Sequence, residues 1–124
     1  MKSVFKRGEA ITRLEHYADV IVLHLTLLIC FPKAQEISHW QQELNAFKGV
    51  LQRYNNSKSK KGHNYSVEDI ETALLEVIED NEGKDYIAND IMGTKKGMDI
   101  DSHNIDWEDV EKSISSFAQA VLGT

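Results

Sequence analysis

Hydrophobic residues in the first third of the chain recur at spacings of three and four, the period that places side chains on one face of an α-helix. The members of this series are Ile11, Leu14, Ala18, Ile21, Leu25 and Leu28. The series runs without a break into the most apolar stretch of the chain, Val20 to Phe31. Alternate apolar residues there would also suit a β-strand, but the helical spacing upstream favours one continuous helix. We predict this helix from Gly8 to Phe31, ended by Pro32, because proline disfavours the helical conformation in the residue before it.

The apolar stretch is too short to span a membrane. A transmembrane helix needs about 20 predominantly apolar residues, whereas Val20 to Phe31 supplies twelve, and these include His24 and Thr26. We expect the stretch to form the central helix of a bundle. We also expect a cytoplasmic protein, because acidic residues interrupt the N-terminal region where a signal peptide would be apolar.

Later apolar stripes predict three more long helices, each with a start signal. The second stripe consists of Trp40, Leu44, Phe47, Leu51 and Tyr54. The third consists of Val67, Ile70, Leu74, Val77 and Ile78, and the last of Trp107, Val110, Ile114, Phe117 and Val121. Capping boxes are expected at Ser38 with Gln41 and at Ser66 with Asp69. Asp106 is the expected cap of the last helix.

A short helix is predicted between the third and the last, over Lys84 to Met92, where three apolar residues can be buried. Asn81 and Gly83 before it are residues that often end a helix, so we expect them to stop the third one. Gly93 suits the C-terminus of the short helix.

Two polar segments without periodicity, residues 55–64 and 94–105, are predicted to be exposed loops. The first is basic and contains Lys58, Lys60 and Lys61. A chain of 124 residues with one proline and seven glycines suits one helical domain better than a many-stranded sheet. We therefore predict an all-α fold in which residues 1–124 form a single domain, a compact bundle of four longer helices and one short helix.

Charge is distributed unevenly along the chain. Residues 1–62 contain 10 Lys or Arg and 5 Asp or Glu, whereas residues 63–124 contain 4 and 15. The balance is +5 in the first half and −11 in the second, consistent with the net charge of −6. A surface patch of one charge attracts partners of the opposite charge. Carboxylates on helices, however, often form only a face that is exposed to solvent and binds no partner.

We expect eight carboxylates to form an acidic face for a protein partner with a basic surface, as in inhibitor or immunity-type proteins of bacteria and mobile elements. They are Glu68, Asp69, Glu71, Glu76, Glu79, Asp80, Glu82 and Asp85. The alternative is a nucleic-acid-associated accessory protein that binds phosphates through the basic segment 53–63. Its contacts would be Arg53, Lys58, Lys60 and Lys61. We prefer the first hypothesis, because the chain has neither an overall basic footprint nor a reading motif.

No residue pattern predicts catalysis, a cofactor or a metal site. His24 lies in the apolar stretch, where an imidazole hydrogen-bonded to a neighbour is commoner than a general base. Glu36 and His39 form one Glu-x-x-His, but carboxylate-bridged metal bundles need a second such pair. Cys30 is the only cysteine, so we expect a small buried residue rather than a disulfide or a nucleophile. We therefore predict that the protein is not an enzyme.

The oligomeric state stays open at this point. Trp40 and Trp107 each begin an apolar stripe, and such a stripe can pack either in the core or against a second copy of the chain. A homo-oligomer is thus one of the arrangements compatible with the pattern.

The segment Arg13–Trp40, RLEHYADVIVLHLTLLICFPKAQEISHW, contains HLTL at positions 24–27, followed by Pro32 and a tryptophan. This order resembles the signature of a bacterial helical family catalogued as domain of unknown function family 29. In that family a leucine-rich helix with a His-Leu-Leu-Lys-like segment precedes a proline and then a tryptophan. The similarity extends over residues 13–70, where SVE at 66–68 is similar to the start of the family's next helix. The resemblance implies a helical bundle and assigns neither an activity nor catalytic residues.

Overall fold

The computed structural model describes residues 9–56, 66–94 and 104–121, and these residues fold into five α-helices. The helices are α1 (Glu9–Cys30), α2 (Ile37–Asn56), α3 (Val67–Val77), α4 (Asn81–Thr94) and α5 (Trp107–Val121). No strand occurs in the three described ranges. The prediction of an all-α fold is therefore confirmed.

The central helix of the bundle is α1, which contacts each of the other four helices. Leu14 and Ile21 are fully buried, so the periodic stripe faces the core as predicted. Val22 and Leu27 on adjacent faces are buried as well, because neighbouring helices pack on more than one side of α1. In the part of the chain that the structure describes, no helix is long and apolar enough to cross a membrane.

The start of α2 differs from the prediction. The helix begins at Ile37, so Ser38 lies inside the helix and cannot form the expected capping box with Gln41. The preceding turn supplies the acceptor instead, because the Ile37 N–H donates to the carbonyl oxygen of Ala34 at 3.2 Å. A backbone carbonyl thus satisfies a free N–H at the helix start, a role that the sequence pattern had assigned to a side chain.

The apolar stripe of α2 faces the core. Trp40 is 3% exposed and Leu51 is fully buried, while Phe47 is half-buried against the core. The burial of Trp40 inside the bundle means that this tryptophan is a core residue rather than part of an interface between copies.

The corner between α3 and α4 is tight and also differs from the prediction. The capping box at the start of α3 is present as expected, with the Asp69 N–H donating to Ser66 Oγ at 3.1 Å. However, α4 begins at Asn81, so that only three residues separate it from the end of α3 at Val77. Asn81 and Gly83 therefore belong to α4 and do not stop α3.

The lengths of the helices do not confirm the expected division into four longer helices and one short one. The fourth helix has 14 residues, whereas the third has 11. The predicted start at Lys84 was too late because the true cap is Asp80. Its Oδ1 accepts the Gly83 N–H at 2.9 Å, and its carbonyl oxygen accepts the Lys84 N–H at 3.1 Å.

The last helix matches its prediction. The Asp109 N–H donates to Asp106 Oδ1 at 3.2 Å, which makes Asp106 the cap of α5. Val110 and Ile114 are fully buried, and Phe117 and Val121 complete the buried face.

The two predicted loops fall largely outside the described residues. Asn55 and Asn56 are the last residues of α2, and Thr94 is the last residue of α4. The remainder of the first predicted loop lies outside the described ranges, as do residues 95–103 of the second. Residues 104–106 connect directly to α5, with Ile105 buried.

Candidate binding groove

An open groove of about 1120 Å³ lies along α3, where α3 faces α5 and reaches the corner before α4. Its acidic lining residues are Glu71, Glu76, Glu79, Asp80 and Glu111. Its other lining residues are Thr72, Leu75, Ile78, Lys84, Ile114 and Ser115. Five carboxylates and one ammonium group thus surround the groove, which gives it a strongly negative formal charge.

The floor of the groove is apolar. Ile78 is 3% exposed and Ile114 is fully buried, whereas Leu75 is 38% exposed and is one of four large hydrophobic side chains classed as exposed among the described residues. These residues belong to the edge of the core that α3 and α5 share. The groove therefore combines an accessible leucine with a rim of carboxylates.

Helical spacing explains the arrangement on α3. Glu71 and Leu75 are four residues apart in α3, so they lie one turn apart on the same face, next to the buried stripe that contains Ile70 and Leu74. Glu79 follows the end of α3 and lies in the bend before α4, from which it also lines the groove. Leu75 therefore shares the groove with a carboxylate of α3 and with one of the bend that follows it.

The corner between α3 and α4 forms one end of the groove. Asp80 lines it while its Oδ1 accepts the Gly83 N–H at 2.9 Å, so the same carboxylate caps α4 and contributes charge to the groove. A negative side chain at this position also interacts favourably with the positive end of the helix dipole. The position of Asp80 is thus fixed by the backbone.

A lysine already occupies the edge of the acidic groove. The Lys84 Nζ lies 5.9 Å from the centroid of the Trp107 ring, within the range of a cation–π contact. Lys84 also lines the groove. The negative charge of the groove and the face of the Trp107 ring therefore both favour the ammonium group of Lys84 at this position.

Four of the eight carboxylates predicted from the sequence meet in this groove, and the other four do not line it. The four in the groove are Glu71, Glu76, Glu79 and Asp80. Of the others, Asp69 accepts the Ser66 N–H at 3.0 Å in the capping box, while Glu68, Glu82 and Asp85 are exposed elsewhere on α3 and α4. The predicted acidic face is therefore divided into a groove and a dispersed set.

The sequence reasoning missed the contribution of α5. Glu111 and Ser115 line the groove from that helix, and with Trp107 they are spaced four residues apart. That spacing places them on one strip beside the buried stripe of Val110 and Ile114. The spacing was a visible signal, but nothing in it indicated that this strip would face α3.

The basic residues of the alternative hypothesis are mostly beyond the described ranges. Lys58, Lys60 and Lys61 lie outside the described residues. Arg53 is exposed in the last turn of α2 and does not line the groove. The nucleic-acid hypothesis therefore stays a prediction.

His24 is anchored within the fold. Its Nδ1 lies 2.8 Å from the carbonyl oxygen of Val20, to which it donates, and its ring packs edge-on against Phe47 with the centroids 5.9 Å apart. The half-buried ring thus joins α1 to α2, which matches the expectation of an imidazole hydrogen-bonded to a neighbour. His39 is exposed on α2.

Cys30 is half-buried at the end of α1, and desolvation raises the pKa of its thiol above the usual value of 9.0. A raised pKa lowers the fraction of the nucleophilic thiolate at neutral pH. Among the described residues, no three His, Cys, Asp or Glu side chains are grouped so that they could hold a metal ion.

No family model, no curated protein and no solved structure matches this chain. The resemblance to domain of unknown function family 29 therefore stays a prediction.

Proposed function

We propose that this protein is a small acidic protein-binding module of the inhibitor or immunity type, which masks or scaffolds a basic partner. The observation on which the proposal rests is the groove of α3 and α5, where five carboxylates surround an apolar floor. Its place of action in this proposal is the cytoplasm.

Electrostatic complementarity supports a basic partner. Charges of one sign around a groove attract a partner of the opposite sign and speed the encounter, while they repel partners of the same sign. The nucleic-acid phosphates are excluded from this groove by the same reasoning, because they would meet the carboxylates. A basic protein surface would meet favourable charge and, at Leu75, an apolar contact.

The test is capture of partners from the lysate of the protein's own source at low and high salt, comparing the wild type with a variant. The variant carries Glu71→Gln, Glu79→Gln and Glu111→Gln, which removes three charges from the groove. Exposed ion pairs contribute about 0.5 kcal/mol each, so the three changes should weaken binding about tenfold. The retained proteins are identified by mass spectrometry.

A matched control removes the same number of charges outside the groove, through Asp19→Asn, Glu68→Gln and Glu82→Gln. All three side chains are exposed and none lines the groove. The proposal expects the control variant to retain the partner. Equal capture by both variants would contradict the proposal, and salt-sensitive recovery of nucleic acid instead of protein would favour the basic segment that includes Arg53.

A further inference from the structure

We draw no further inference here: the strongest candidate, the surface patch of α1 and α2 outside the groove, where the rings of Tyr17 and His24 pack on Phe47 beside the exposed Val20, carries nothing because nothing in the structure shows what covers it.

Discussion

Gly83 lies where the first turn of α4 passes the last carbonyl of α3, and its replacement by alanine is the most direct test of that corner. A Cβ atom at position 83 would overlap the carbonyl oxygen of Val77 and would also lie 3.1 Å from the carbonyl carbon. It would be 3.4 Å from Asp80 Oδ1. Because the overlap is with backbone, rotation of a side chain cannot relieve it, and α3 or α4 has to shift.

The expected loss of stability follows from two opposing effects. Adding a methyl group to a site without space costs about 1–3 kcal/mol, and contact with backbone places this site at the upper end of that range. Alanine is favoured over glycine inside a helix by about 1 kcal/mol. We therefore expect Gly83→Ala to lower the free energy of unfolding by about 2 kcal/mol, which corresponds to a decrease in Tm of about 8 °C.

The assay is urea unfolding followed by far-ultraviolet circular dichroism, with Gly49→Ala as the matched control. Gly49 lies in the middle of α2, where an added Cβ would meet only Arg53 Nη1 at an ordinary 3.8 Å. That substitution should raise the free energy of unfolding by about 0.5–1 kcal/mol, because alanine reduces the freedom of the unfolded chain. The two changes should thus have opposite signs. A Gly83→Ala variant as stable as the Gly49→Ala variant would refute the close approach of α3 and α4.

Three further substitutions or reactions test other parts of the fold. Asp106→Ala removes the side chain that accepts the Asp109 N–H and should cost about 1 kcal/mol in thermal unfolding, with a smaller loss for Asp106→Asn; equal losses would contradict the capping role. Cys30 should react with a thiol reagent at pH 8 more slowly in the folded protein than in urea, because desolvation raises its pKa. Because the folded state holds the thiol proton of Cys30 more tightly than the unfolded chain does, this group's contribution to the free energy of unfolding is present below the usual pKa of 9.0 and is lost as pH rises above it. The Cys30→Ala variant should not show this pH-dependent loss of stability. Thr26→Val should change stability by less than about 1 kcal/mol, because the fully buried hydroxyl donates to the carbonyl oxygen of Val22 within its own helix and so does not link two helices. A loss of several kcal/mol would show a larger role for that hydroxyl.

Features that depend on residues within one helical turn were predictable from the sequence. The capping box of Ser66 with Asp69 and the cap at Asp106 formed as expected, because both depend on residues three positions apart. The capping box predicted at Ser38 did not form, which shows the limit of such a local pattern. There the turn before α2 brought the carbonyl of Ala34 to the Ile37 N–H, and the helix began earlier.

The fourth helix was misjudged for a related reason. Asn81 and Gly83 are residue types that often end a helix. The sequence does not distinguish a glycine that ends a helix from a glycine that lets two helices approach each other closely. The carbonyl of Val77 lies where a Cβ of residue 83 would be, a relation between two helices that only the folded chain creates. Asp80 consequently caps α4 instead of contributing only to an acidic surface.

Hydrophobic period and local capping by themselves determined that the described part of the chain folds into α-helices and which faces of these helices are buried, because both depend on the fixed geometry of one helix. The sequence also placed an excess of carboxylates in the second half. Only the tertiary structure decided that Glu71 and Glu79 share a groove with Glu111 while Glu68 does not. The reason is that one helix fixes the direction of its own side chains, but the packing of α3 against α5 determines which strips of the two helices meet.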